Sequence, residues 1–226
     1  MLAYPTSRYP PPACVSQARS RLVSSIGRST ATVMIIYDSI IFLSWAAFLL
    51  VWGVTALFVK RDVRGGGYAA AWLRFWVLRL AVAVPIVLLA RRAGSSGAVF
   101  FRGIFTPPPT VGWAAAAFTA IGIGFAVWAR VYLGRNWSPR PAVKEHHELV
   151  TTGPYAFVRH PIYTGIMLAT LGTALLGTIF GIVMFIVITI TFALRIGKEE
   201  KLMLELFPRQ YPEYQKHTKR LVPFVW

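Results

Sequence analysis

The sequence has a single cysteine, Cys14, among 226 residues, so it can close no intrachain disulfide and build no cysteine-based metal centre. Acidic residues are nearly as scarce, with 8 Asp and Glu against 24 Lys and Arg, and six of the eight lie after residue 144. No G-x-G-x-x-G follows a strand pattern, and GxxxxGK[ST], H-E-x-x-H and G-x-S-x-G do not occur. Dinucleotide-binding, P-loop, zincin and serine-hydrolase readings are thereby excluded as motif-based assignments. His146 and His147 are adjacent and so face different ways on a helix, which makes them only a weak hint of a metal site.

What the chain has in abundance is apolar length. It is 56% hydrophobic and only 14% charged, more apolar surface than a water-soluble domain of this size can bury. A helix needs about 20 apolar residues to cross a hydrocarbon core of roughly 30 Å. Four regions qualify: Val33 to Val59 with Asp38 its only charge, Ala69 to Ala90 carrying Arg74 and Arg79, Val111 to Leu133, and Ile162 to Ile196. The last is too long for one helix and is punctuated by Gly172 and Gly177, so it reads as a tight hairpin turning near Gly177. The expected fold class is therefore all-α: a multi-span membrane bundle of about five transmembrane helices ending in a helical hairpin, followed by a cytoplasmic C-terminal helical tail.

The net charge of +16 would point to nucleic acid in a soluble protein. In a membrane protein basic loops collect on the cytoplasmic side and meet anionic headgroups. With five spans, fifteen Lys and Arg fall on the side of the C-terminus and seven on the other. The C-terminus is expected in the cytoplasm, and the protein in the inner membrane if its source is bacterial. Residues 1–32 are rich in Pro, Ser and Arg and read as a disordered tail, with residues 33–226 as the transmembrane domain and 130–226 forming its site. A transit peptide, or a true start at Met34, are the alternative readings of that tail.

The chemistry concentrates in Leu149 to Gly165, LVTTGPYAFVRHPIYTG. Gly153-Pro154 signals a turn, and Pro161 suits the first position of a helix. Arg159 and His160 would then flank a helix N-terminus, where free amides and the helix dipole favour an anion. An antiparallel hairpin brings Arg195, Lys198, Glu199 and Glu200 to the same end. Two carboxylates beside a cationic pocket suit an ammonium, a sulfonium or an exchangeable proton. The combination reads as a zwitterion site, with Arg159 and Glu200 expected to hold opposite ends of one ligand rather than each other. Taken singly, each residue also fits a structural role: Arg159 as a snorkelling cation, His160 as an N-cap, the charges from Lys198 to Lys201 as a solvated helix start, and Tyr155, Tyr163, Tyr211 and Tyr214 as an interfacial belt.

GPYAFVRHPIYTG, followed after one hairpin by KEEKLMLELFPRQYPEYQKH and a closing Pro223, resembles the C-terminal half of the isoprenylcysteine carboxyl methyltransferase family, which is related to the phospholipid N-methyltransferases. The resemblance covers about residues 130–226, while the first three spans are similar only in hydrophobicity. It implies a membrane-embedded enzyme using S-adenosyl-L-methionine and no metal. Arg159, His160, Pro161, Tyr163 and Gly165 match the RHPxYxG element, Glu199 and Glu200 the paired acids, and Tyr211 and Tyr214 the tail tyrosines. Arg159, His160, Pro161, Tyr163, Gly165, Glu200, Tyr211 and Tyr214 are the expected cofactor residues, and Arg195 and Glu199 the expected catalytic pair. Where the family has Phe-Gly ahead of the first tail tyrosine, this chain has Phe207-Pro208 and then Arg209-Gln210. The implied partners are the bilayer and a lipidic or prenylated acceptor, with no nucleic acid. Two other functions fit the residues: N-methylation of a phospholipid or amine, and a non-catalytic membrane protein that binds anionic lipid or transports a small solute.

Overall fold

A computed structural model describes residues 12–56, 104, 107–134 and 149–222. Among these residues the architecture is helical, with one isolated bridge between Val158 and Lys219 and no sheet. The elements are α1 (Pro12–Ala56), α2 (Pro109–Leu133), a short 3-10 helix (Gly153–Ala156), α3 (Pro161–Leu175), α4 (Ile179–Leu206) and α5 (Gln210–His217). Three segments are long and apolar enough to cross a membrane, Thr32–Thr55, Pro109–Leu133 and Ile179–Leu206, with Pro161–Leu175 a shorter apolar helix. Large side chains such as Phe42, Leu50 and Leu194 are exposed around these helices, as an integral membrane protein requires of its lipid-facing surface. The apolar region 69–90, with Arg74 and Arg79, lies outside the described residues, as do His146 and His147.

Helix α1 reaches back to Pro12, into the stretch read from composition as a disordered tail. Pro12 is the last proline before Pro85. The helix breakers of the tail are thus confined to its first residues, and a first-turn proline loses no helix hydrogen bond.

The C-terminal hairpin forms as its sequence predicts. α3 and α4 are joined through Leu176, Gly177 and Thr178, and Gly177 takes a positive φ of 70°, where a side chain would be strained. Thr178 then caps α4, its hydroxyl accepting the Gly181 N–H at 3.0 Å. At 15 residues α3 is roughly 22 Å long. That falls short of a hydrocarbon core of about 30 Å, so at least one end of this arm lies below a bilayer surface.

Packing across the bundle relies on small residues. At the α2–α3 seam, Gly122 and Ala126 meet Gly165 and Ala169, and Thr119 meets Gly172. A Cβ at Gly165 would sit 2.5 Å from the Gly122 carbonyl oxygen and 2.6 Å from the Ala126 nitrogen, so only glycine permits this approach. Small residues let membrane helices gain dispersion contacts that bulkier side chains would block. α1 packs against α2 through Tyr37 and Ile41 on Ala115 and Ala116. It also reaches α3 through the Trp45 indole N–H, which donates to the Thr173 hydroxyl at 3.1 Å.

Arg130, 1% exposed, ties the helix ends together. Its guanidinium donates to the Gly134 carbonyl at 2.9 Å and to the Thr55 carbonyl of α1 at 3.0 Å. A cation on the last carbonyls of two helices meets both negative dipole ends. The C-termini of α1 and α2 therefore share one end of the bundle with the start of α3 and the end of α4.

Candidate functional site

The polypeptide leaves α2 near Tyr132 and re-enters at a turn whose geometry is set by Gly153, at φ 61°. A Cβ there would lie 2.6 Å from the Tyr132 ring, and the Tyr132 hydroxyl is 2.7 Å from that of Thr152. The 3-10 helix follows, then Val158 in a bridge to Lys219, a bend at Arg159 and His160 at φ -123° and ψ 60°, then Pro161 at the first position of α3. His160 occupies the N-cap position without making a side-chain cap, so the bland N-cap role does not account for it.

The stretch from Val158 to His160 is covered by the C-terminal tail. The Arg159 N–H donates to the Lys219 carbonyl at 2.8 Å and the His160 N–H to the Arg220 carbonyl at 3.0 Å. The Thr164 hydroxyl donates to the Leu221 carbonyl at 2.7 Å. Pro208 and Arg209 make the turn between α4 and α5, closed by the Tyr211 N–H on the Phe207 carbonyl at 3.0 Å. The departure from the family pattern at Phe207-Pro208 thus still delivers the tail to the site. Tyr211 and Tyr214 are buried under it, and the Tyr214 hydroxyl donates to the Tyr155 carbonyl at 2.5 Å. Burial pushes the phenols of Tyr155, Tyr211 and Tyr214 up, that of Tyr214 to about 12, which keeps all three neutral donors at physiological pH.

The two acids of α4 serve different sets of partners. Glu200 is 4% exposed, and its Oε1 accepts from Arg159 Nε at 2.9 Å. Its Oε2 accepts from Arg220 Nε at 3.0 Å and Nη2 at 2.9 Å. Arg159 spends a second nitrogen on the carbonyls of Thr218 and Gln215. Glu199 Oε1 accepts from the Tyr163 hydroxyl and from Arg195 Nε, both at 2.6 Å. The imidazole of His160 lies between the acids, 3.6 Å from Glu199 and 3.7 Å from Glu200, distances too long for hydrogen bonds. A ladder of rings backs the cluster: His160 stacks on Tyr163 at 5.5 Å and Tyr163 on Phe192 at 4.1 Å.

Of the residues singled out from sequence, Arg159, His160, Tyr163, Arg195, Glu199 and Glu200 converge in this cluster, with Tyr211 and Tyr214 beneath the covering tail. Pro161 is fully buried at the helix start, and Gly165 faces α2 one turn away, where its part is close packing. One expectation is corrected: Arg159 and Glu200 do not stand apart for opposite ends of a ligand but pair directly. The hairpin sets them within reach, and a carboxylate this buried needs cationic partners. Sequence reasoning missed Arg220 and Thr164 as well as the helix-end role of Arg130. Arg220 and Thr164 carried no signal beyond charge or polarity because their roles depend on where the tail folds back, and Arg130 none because its role depends on α1 ending beside α2.

One polar atom is left over. Nε2 of His160 is buried without a hydrogen-bond partner, on a side chain 10% exposed. An orphaned buried nitrogen beside two carboxylates and three guanidinia, with phenols nearby, fits a ligand that carries both charges and several polar atoms.

Comparison with known proteins gives the cluster a context. Residues 115–205 match the model of the isoprenylcysteine carboxyl methyltransferase family. The match begins within α2, so the third apolar region shares more with the family than hydrophobicity, and it ends before Tyr211 and Tyr214. The chain is 40% identical over 84 residues to protein-S-isoprenylcysteine O-methyltransferase B of Arabidopsis thaliana, covering 36% of this chain and 43% of that protein. It is 35% identical over 115 residues to the protein-S-isoprenylcysteine O-methyltransferase of Schizosaccharomyces pombe, covering 49% of each. The matched part thus spans less than half the length of these relatives. A solved eukaryotic intramembrane Ras methyltransferase aligns with a TM-score of 0.48 at 23% identity, covering 64% of this chain and 53% of that one. The similarity to that family thus takes in Arg159, His160, Pro161, Tyr163, Gly165, Arg195, Glu199 and Glu200 and stops short of the tail tyrosines.

Proposed function

We propose that the protein is an S-adenosylmethionine-dependent methyltransferase acting on a lipidic or membrane-delivered acceptor, most like carboxyl O-methylation of an isoprenylcysteine-type substrate. The observation that carries this reading is the division of labour in the cluster. Glu200 is held with Arg159 and Arg220 beside the orphaned His160 nitrogen, while Glu199 is held with Arg195 and Tyr163 one helix position away. When bound, S-adenosylmethionine supplies a methyl group on a sulfonium, together with an ammonium, a carboxylate and an aromatic base. Arg159, His160, Glu200, Tyr211 and Tyr214 would hold it, with Pro161 and Gly165 setting the helix start that presents them. The tail from Thr218 to Leu221 excludes water from that side.

Arg195 and Glu199 face the acceptor in this reading. Methylating a carboxylate breaks one S–C bond and forms one O–C bond with no proton to move, so the protein needs a cation to orient the acceptor and little else. Arg195, 30% exposed at its side chain, provides it. Glu199 and the Tyr163 ring, 5.9 Å below the guanidinium, fix its direction. An amine acceptor must shed a proton. Glu199 Oε1 already accepts hydrogen bonds from Tyr163 and Arg195, so that oxygen is committed and not free to take a substrate proton. The cluster therefore favours a carboxylate acceptor over an amine.

The fifteen basic residues expected at the C-terminal end support a cytoplasmic site, facing anionic headgroups. The same charge is what a non-catalytic lipid-binding protein would display, and cofactor binding separates the two. Radiolabelled S-adenosylmethionine should bind the detergent-purified full chain saturably, at about one site per chain. Absence of saturable binding by protein that remains folded and monodisperse would remove the enzymatic reading.

A further inference from the structure

The three nitrogen-bearing side chains around Glu200 are not equivalent. Arg159 is 9% exposed at its side chain and is staked to the tail by the Thr218 and Gln215 carbonyls. His160 touches neither acid within hydrogen-bond distance. Arg220 is 42% exposed at its side chain, and its hydrogen bonds all go to Glu200 Oε2. An ion pair with one partner this exposed is worth little, because water competes for the guanidinium. The backbone of Arg220 is nevertheless fixed, since its carbonyl accepts the His160 N–H at 3.0 Å. The side chain can leave Glu200 while its root stays beside His160.

We infer that Arg220 is the exchangeable partner of Glu200: it holds Oε2 in the absence of ligand, yields that oxygen to a ligand ammonium, and turns its guanidinium to the same ligand's carboxylate. This rests on the zwitterionic methyl-donor reading above and assigns the selectivity of that site for an intact amino-acid group. Yielding Oε2 to one ammonium leaves Glu200 its Arg159 contact, so the buried carboxylate is never without a cation. The released guanidinium gains a planar two-point partner, the geometry in which arginine binds most strongly. The unpartnered His160 Nε2 is 3.7 Å from Oε1 of the same carboxylate whose Oε2 is exchanged, and is available to the incoming group. A Glu200 satisfied by its own tail also explains why so buried an acid tolerates the unliganded state.

The exchange predicts opposite effects on related ligands. Dissociation constants are measured calorimetrically on the full chain in nanodiscs for three probes. They are S-adenosylmethionine, its decarboxylated form, which keeps the ammonium, and 5′-methylthioadenosine, which lacks the amino-acid group. Arg220→Gln should weaken S-adenosylmethionine by about tenfold or more, because the carboxylate loses its grip. It should tighten the decarboxylated form by roughly threefold, because Glu200 is no longer contested, and leave methylthioadenosine within about twofold. Arg220→Lys keeps the charge but loses two-point geometry, so it should weaken only the zwitterion, and it serves as the readout if the Gln variant does not fold. A parallel shift of all three ligands, or an unchanged zwitterion affinity, overturns the exchange and leaves Arg220 as a structural tether. Failure of the unsubstituted protein to bind S-adenosylmethionine overturns the methyl-donor reading itself, and the exchange with it.

Discussion

Glu200→Gln is expected to reduce affinity for S-adenosylmethionine by at least about 100-fold, the largest effect of any single substitution at the site. Glu200 is the one anion shared by Arg159 and Arg220, with His160 alongside, and it is 5% exposed at its side chain. Neutralising it leaves the Arg159 guanidinium, 9% exposed, without its carboxylate. Breaking a buried pair from one side costs on the order of 3 to 5 kcal/mol, and the ligand ammonium loses its counter-charge as well. The tail should loosen too, since Arg159 joins Glu200 to the Thr218 carbonyl. Limited proteolysis beyond Phe207 should therefore accelerate in parallel with the loss of binding. Near-normal affinity in Glu200→Gln would show that the ligand does not use this carboxylate. Reversing both charges, Arg159→Glu with Glu200→Arg, should not restore the protein. A glutamate at 159 cannot donate to the Thr218 and Gln215 carbonyls, so the swap recovers the ion pair and loses the tail.

Gly165→Val should be comparably damaging while altering no charge. The added carbons would meet the Gly122 carbonyl and the Ala126 amide of α2, which are backbone atoms that cannot rotate away. Overpacking a well-filled seam costs about 1 to 3 kcal/mol even where side chains can yield, and here the relief is to push α3 from α2. Because Pro161 and His160 begin that helix, the shift carries the site with it. Thermal unfolding in detergent should fall by several degrees, on the order of 5 °C for a chain of this size, with a concurrent loss of cofactor binding. Gly124→Ala on the same helix as Gly122 is the control, since its Cβ would meet nothing within 4 Å. It should be neutral or slightly stabilising, by up to about 1 kcal/mol from helix propensity. Equal behaviour of the two variants would refute the close-packing role of Gly165.

The contrast between these residues explains what could be read in advance. The hairpin was legible because Gly177 interrupts an apolar run too long for one helix, and that interruption alone sets Arg195, Glu199 and Glu200 beside Arg159. Helix α2 and the site's charged members followed from length and spacing. Gly165 was assigned to the cofactor from its motif, since a sequence does not say which helix a small residue will face. The Arg159–Glu200 pair was misjudged for a similar reason: topology gives proximity, but whether two opposite charges touch depends on what else can satisfy them. Arg220 and Thr164 were invisible because each contact joins the tail to a part of the chain it folds back on, Arg220 to Glu200 of α4 and Thr164 to Leu221. At the other end of the chain, averaging composition over the whole N-terminal stretch hid the placement of its prolines. All of them lie at or before Pro12, so no proline interrupts α1 beyond its first residue.

Carboxyl methylation at a membrane-embedded cluster is tested most directly by methyl transfer itself. Full-chain protein in nanodiscs is given S-adenosylmethionine labelled in the methyl group and a short S-farnesylcysteine derivative with a free carboxyl group, and the lipid product is then treated with mild alkali. The predicted result is label in the lipid fraction that is released as volatile methanol by alkali, because a methyl ester hydrolyses, and loss of that signal in Arg195→Gln. Label that enters the lipid fraction but survives alkali would mark an N-methylated product and contradict the carboxylate assignment of Arg195 and Glu199. No transfer by protein that binds the cofactor would contradict the proposed acceptor class.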